Sequence, residues 1–169
     1  ITSNPNNPSS SSSATFTFES SEPGTFECQL DEASWETCST PQPYSSITDD
    51  LHTFQVRAKD AAGNTDETPA SFSWIITTTR PSVTLDTSAP NPTNAPFTVT
   101  ATFSKSVTGF DSGDISVTGG DASDLSGSDT TYTFTVTPTA QGNISVQIPA
   151  SSAQDAAGND NTASNTLSV

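Results

Sequence analysis

Positively charged side chains are scarce in this chain. Only four of its 169 residues are Lys or Arg, against 19 Asp and Glu, which leaves a formal net charge of −15 at pH 7. A surface with this balance repels phosphate groups, so it argues against binding to nucleic acid and to anionic membranes. The basic residues are Arg57, Lys59, Arg80 and Lys105.

Long apolar runs and catalytic motifs are missing as well. Hydrophobic residues make up 30% of the chain, and no segment is apolar for long enough to insert into a membrane. The one histidine, His52, begins an alternating segment, where we expect a surface or edge position rather than a catalytic one. No nucleophile elbow, phosphate-binding loop or zinc-protease motif is present. We therefore expect that the protein is not an enzyme.

The chain has two cysteines, Cys28 and Cys38. Phe26, Cys28 and Leu30 alternate as in a strand, and a turn centred on Ala33 would place Cys28 opposite Cys38 in a hairpin. The spacing predicts a disulfide, with two buried free thiols as the alternative. A cysteine pair and a single histidine are too few ligands for zinc. A disulfide indicates an oxidising, extracellular compartment.

What the chain does contain is a series of short alternating runs separated by polar turns. Thr, Ser, Val and Phe dominate these runs, and such residues favour half-buried strands. Regularly spaced short strands predict an all-β sandwich architecture. The clearest runs are Ala14–Phe18, His52–Lys59, Ala70–Ile76, Phe97–Phe103, Tyr132–Val136 and Asn143–Ile148.

An internal repeat divides the chain into two halves. Asp-Ala-Ala-Gly-Asn occurs at residues 60–64 and again at 155–159, each time before the last strand of its half. We therefore predict a first domain at residues 14–79 and a second at 80–169. Residues 1–13 are rich in Ser, Asn and Pro and are expected to form a flexible linker. Because the chain begins at Ile1, we expect it to be a piece of a longer precursor.

Both halves resemble bacterial immunoglobulin-like (Ig-like) domains that form repeat arrays in surface adhesins. The resemblance implies two tandem Ig-like β-sandwiches joined by a short linker, in a secreted or cell-surface protein. In the second half it rests on residues 91–94, 97–104, 107–110, 114–117, 132–138 and 155–159. In the first half it rests on residues 26–31, Trp35, Cys38 and the segment 52–64.

The resemblance also implies calcium, which related repeats bind at the ends of the sandwich. A turn is sufficient to explain the two Asp-Ala-Ala-Gly-Asn loops without any ligand. If Ca²⁺ is bound, the candidate ligands in the first domain are Glu22, Asp60 and Asn64. Asp155 and Asn159 are weaker candidates, because Lys105 stands where related domains usually carry Glu and is expected to lie near Asp155.

Three functions remain open at this stage. The leading hypothesis is a structural spacer within a longer surface protein, whose partners are the neighbouring domains of the same chain. The second is a glycan- or protein-binding module of a secreted hydrolase, with Trp35 as the aromatic residue most able to stack on a ligand. The third is a subunit of an extracellular fibre that would use residues 1–13 to reach its neighbour.

Overall fold

The structure is a computed structural model that describes residues 1–91 and 93–169. Pro92, which belongs to the 91–94 motif, lies outside the described residues. The chain divides into two compact units, Ile1–Thr78 and Thr79–Val169, called domain 1 and domain 2 below. The boundary falls one residue before the expected one, and residues 1–13 belong to domain 1.

Domain 1 consists of a two-stranded and a four-stranded antiparallel sheet. The small sheet pairs β1 with β4, and the large sheet has the order β3-β2-β5-β6. Strands with alternating apolar residues supply one buried face each, as two packed sheets require. The strands are β1 (Ala14–Phe16), β2 (Gly24–Leu30), β3 (Glu36–Cys38), β4 (Gln42–Tyr44), β5 (Asp50–Asp60) and β6 (Ala70–Ile76).

Aromatic side chains fill the core of domain 1. Phe16 stacks on Phe54 with ring centroids 4.0 Å apart and meets the ring of Trp74 edge-on at 5.2 Å. All three side chains are inaccessible to solvent, as the alternation predicted. Burying rings of this size gives a small domain most of its stabilising hydrophobic energy.

Residues 1–13 are attached to domain 1, contrary to the expected flexible linker. The N–H of Ser9 donates to the carbonyl of Ile75, and the Asn7 side chain accepts from the N–H of Ile75. The N–H of Thr2 donates to the carbonyl of Thr17, and Ser9 is buried. β6 is an edge strand, whose free backbone groups bind an extended segment readily. Composition alone does not reveal such backbone pairing.

The cysteine hairpin differs from its predicted register by two residues. Cys38 pairs with Phe26, and Cys28 pairs with Glu36, so the two cysteines lie diagonally rather than directly opposite. Because the offset is two residues, both side chains still point to the same face of the sheet. The disulfide is confirmed, with the Cα atoms of Cys28 and Cys38 5.7 Å apart.

Domain 2 also consists of two antiparallel sheets, one of four strands and one of three. Their orders are β10-β11-β8-β7 and β13-β12-β9. The only helix in the described part of the chain is a single 3₁₀ turn at Ser112–Asp114, so no helix there is long or apolar enough to cross a membrane. The strands are β7 (Val83–Asp86), β8 (Phe97–Phe103), β9 (Ser116–Thr118), β10 (Gly120–Ser128), β11 (Thr131–Pro138), β12 (Ser145–Gln147) and β13 (Leu167–Ser168).

The core of domain 2 is built from aliphatic and aromatic residues of both sheets. Val99, Phe134 and Val146 are among its fully buried members. One polar side chain, Asn161, is also fully buried and accepts a hydrogen bond from the N–H of Ala153. It donates to the carbonyls of Pro149 and Thr162, so each polar group is paired, as burial requires.

Candidate functional site

The first candidate site is an open cleft at one end of domain 1. Its volume is about 250 Å³. The cleft brings together two predicted calcium ligands from separate loops, Glu22 and Asp60, because β2 begins beside the end of β5, with Gly24 paired to Asp60. The lining residues are Ser20, Ser21, Glu22, Pro23, Gly24, Ala58, Lys59, Asp60, Asn64 and Asp66.

Asp60 is already engaged by its own loop. Its two carboxylate oxygens accept from the backbone N–H and the side-chain amide of Asn64, each at 2.8 Å. These hydrogen bonds stabilise the ionised form and lower the pKa of Asp60 below its usual value. The arrangement is a closed turn, which is the ligand-free explanation of the repeated motif.

The carboxylates of this cleft do not form a complete cation site as they stand. Nowhere in the described ranges, 1–91 and 93–169, do three His, Cys, Asp or Glu side chains come close enough to hold a metal ion. Asp66, the third carboxylate of the cleft, accepts hydrogen bonds from the backbone and hydroxyl of Thr68. Calcium at this end of domain 1 therefore stays a prediction.

In the corresponding loop of domain 2, the side chains of Asp155 and Asn159 are buried. Asp155 accepts hydrogen bonds from the N–H groups of Ala157 and Asn159 and from the Asn159 side chain. The ammonium group of Lys105 lies 3.3 Å from the second carboxylate oxygen, as the comparison of the two halves predicted. Burial raises the pKa of Asp155, but the bonds from Asn159, Lys105 and Ala157 outweigh it and lower the pKa overall.

Trp35, the predicted ligand-stacking residue, already has a cation on its ring. The guanidinium carbon of Arg57 lies 4.2 Å from the ring centroid, in cation–π geometry. Two guanidinium nitrogens of Arg57 donate to a single carboxylate oxygen of Glu27 at 2.7 and 2.8 Å, which holds the group in place. One face of the indole is therefore covered and does not offer a platform for a sugar.

His52 is buried on an inner strand, so the surface or edge position expected from the sequence is wrong. His52 is 6% exposed, and its ring packs against that of Trp74 at a centroid distance of 5.6 Å. His52 alternates with Phe54 and Val56 along β5, and this period of two was the signal that it points inward.

Comparison with known proteins identifies the type of domain. The sequence profile described as "bacterial Ig-like domain" matches residues 77–169, more than half of the chain. The chain belongs to the bacterial Ig-like domain family. Such Ig-like modules occur in bacterial surface or secreted proteins, are generally non-catalytic and typically lie outside the cell.

Other comparisons add little to this identification. One similar solved structure is described as fibronectin(III)-like modules of Clostridium thermocellum CbhA. It is 21% identical in sequence, covers 93% of this Ig-like chain and 82% of its own, and has a TM-score of 0.41. Among curated proteins, none matches the chain.

Proposed function

We propose that the chain is a non-catalytic extracellular spacer within a larger surface or secreted protein. The observation that carries the proposal is that the residues on either side of the boundary between Thr78 and Thr79 are hydrogen-bonded to their own domains. A spacer keeps other modules at a set distance, and it does so best when no loose stretch of chain separates its domains.

On the side of domain 1, the last two residues are bonded into the domain. The N–H of Thr77 donates to the carbonyl of Ser9 at 2.9 Å. The N–H and hydroxyl of Thr78 donate to the two carboxylate oxygens of Asp49 at 2.8 and 2.7 Å.

On the side of domain 2, the first three residues are bonded in the same manner. The ammonium group of Lys105 donates to the carbonyl of Thr79. Arg80 donates to the carbonyls of Asp160 and Asn161 at 2.8 and 2.9 Å. The carbonyl of Pro81 accepts from the N–H of Thr162. Every residue from 77 to 81 is thus hydrogen-bonded to the domain it belongs to.

Small-angle X-ray scattering tests the proposal on the whole chain. The wild type is compared with a variant that carries a short Gly-Ser insertion between Thr78 and Thr79, and with a control carrying the same insertion between Gln141 and Gly142, in the exposed turn between β11 and β12. We expect the junction insertion to broaden the distribution of interatomic distances and the control to leave it unchanged. An unaltered distribution in the junction variant would mean that the native junction is already a flexible tether.

Calcium stiffening of domain 1 is a separate part of the proposal. It is supported by Glu22, Asp60 and Asp66 lining one cleft, and by the resemblance to calcium-binding repeats. The carboxylates would have to draw together around the ion, since they form no complete cluster without it. A binding titration, given in the Discussion, decides this point independently of the spacer role.

A further inference from the structure

Both ring nitrogens of His52 face hydrogen-bond acceptors. Nδ1 lies 2.6 Å from Oδ2 of Asp31, and Nε2 lies 2.8 Å from the carbonyl oxygen of Thr48. Neither partner has a hydrogen to donate, because one is a carboxylate and the other a carbonyl. Both nitrogens must therefore carry a proton, and the buried ring is an imidazolium.

The charges that face the ring agree with this protonation state. Burial by itself lowers the pKa of His52, but the bonds to Asp31 and Thr48 and the negative charges of Asp31 and Asp50 outweigh it. The pKa is raised above its ordinary value. Asp31 lies in the turn after β2 and Asp50 at the start of β5, and β6 contributes the uncharged Trp74.

The Thr48 carbonyl belongs to a short segment that also holds the end of domain 1. The next residue, Asp49, binds the backbone and the hydroxyl of Thr78, the last residue of the domain. Ile47, the residue before Thr48, is buried, and its N–H donates to the carbonyl of Ser12. A bond from His52 to Thr48 therefore acts one residue away from the group that anchors Thr78.

We propose that His52 is a proton-controlled latch that fixes the Thr48–Asp49 segment and, through it, the anchorage of Thr78 at the end of domain 1. The latch is closed when the ring carries both protons. The inference concerns domain 1 alone and holds whether or not the chain serves as a spacer.

Loss of one proton breaks the hydrogen bond from His52 to Thr48 rather than the one to Asp31. The carboxylate of Asp31 keeps the remaining proton on Nδ1, because a negative charge is the stronger acceptor. The lone pair of Nε2 then faces the carbonyl of Thr48, and the attraction becomes a repulsion. The carbonyl has to move away, and Asp49 with it, while Asp31 stays bonded to the N–H of Thr53.

The direction of the pH dependence follows from the raised pKa. A group whose pKa is higher in the folded than in the unfolded protein stabilises the fold fully below the unfolded pKa. That contribution is lost as the pH rises through the folded value. The latch is therefore closed below the ordinary pKa of histidine and opens as the pH rises through the higher pKa that His52 has in the folded protein.

Hydrogen exchange of the Thr78 amide tests the latch in the full chain. Exchange is measured by NMR between about pH 5 and pH 9, a range that begins below the ordinary pKa of histidine and extends above it, and is corrected for intrinsic exchange. We expect the protection of Thr78 to fall about three- to tenfold, as for the loss of one hydrogen bond. Its midpoint should coincide with that of the His52 ring resonances.

Two variants and an internal reference complete the experiment. His52→Gln retains every other titratable group and should make Thr78 protection independent of pH. Asp31→Asn keeps an acceptor for Thr53 but removes the charge, so the midpoints of Thr78 protection and of the His52 ring resonances should both move to lower pH. This variant tests the proposal if His52→Gln fails to fold. The Thr162 amide of domain 2, bonded to Pro81, serves as the reference. Constant protection of Thr78 while the ring titrates would overturn the proposal.

Discussion

The ammonium group of Lys105 lies between the carboxylate of Asp155, at 3.3 Å, and the carbonyl of Thr79. A positive charge at this point balances the buried carboxylate and binds the first residue of domain 2. The lysine thereby performs from within the chain the two tasks that a divalent cation would perform at such a loop: neutralising a carboxylate and tying down a neighbouring segment.

Removing this ammonium group should weaken domain 2 modestly. Lys105→Met keeps the aliphatic stem but leaves Asp155 without its cation, and Asp155 is only 7% exposed. Since the lysine side chain is about one-third exposed, we expect a loss of about 1 kcal/mol in the free energy of unfolding. Urea unfolding of the full chain measures it, with Lys59→Met of domain 1 as the control. An equal effect in both variants would show that the Asp155 contact contributes nothing specific.

Any calcium bound by the chain is expected at the domain 1 cleft rather than at the Asp155 loop, where Lys105 repels a divalent cation. Calorimetric titration of the full chain with Ca²⁺ should give a binding heat that disappears in Asp60→Asn and persists in Asp155→Asn. The reverse pattern would show that the two ends were assigned wrongly, and no heat in the wild type would remove calcium from the proposed function.

Loss of the disulfide should destabilise domain 1 selectively. The bond joins residues ten positions apart, and a loop of this size is worth about 3 kcal/mol or less in chain entropy. The variant Cys28→Ser/Cys38→Ser should lower the unfolding midpoint of domain 1 and leave that of domain 2 in place. In the wild type, alkylation before reduction should label neither cysteine; labelling of both in native protein would contradict the bond.

The two hydrophobic cores should respond independently to mutation. Phe16→Ala in domain 1 and Phe134→Ala in domain 2 each remove a fully buried ring, which typically costs about 3–5 kcal/mol. Calorimetry of the full chain should show one transition shifted by each substitution and the other retained. A shift of both transitions by either substitution would mean that the domains unfold as one unit.

Trp35 should make no contribution to glycan binding, because Arg57 covers one face of its ring. A glycan array probed with the wild type and with Trp35→Ala should give the same pattern. Arg57→Ala, which uncovers the ring, is the informative control. Signals that vanish with Trp35→Ala would favour the alternative function, an accessory binding module.

Several features could be predicted from the sequence because they depend on a local alternation of side chains or on the repeat between the two halves. The period of two placed Phe16, Phe54 and Trp74 in the core, since successive side chains of a strand point to opposite faces. Alignment of the two halves placed Lys105 beside Asp155, because a repeated sequence adopts a repeated topology.

Other features were decided only by the three-dimensional structure, because a local sequence pattern does not specify which groups pair with one another. Hydrogen bonds to β6, Thr17 and Ile47 attach residues 1–13 to domain 1, although their composition indicated a flexible linker. The hairpin register differs from the predicted one by two residues. Either register keeps both cysteines on one face, so the sequence spacing does not distinguish them. The partners of His52 and Trp35 come from other strands and loops, so the sequence did not predict them. The sequence determined which face each strand buries. The three-dimensional packing determined which polar groups meet there, because hydrogen bonds and ring contacts require an approach of a few ångströms that no local pattern specifies.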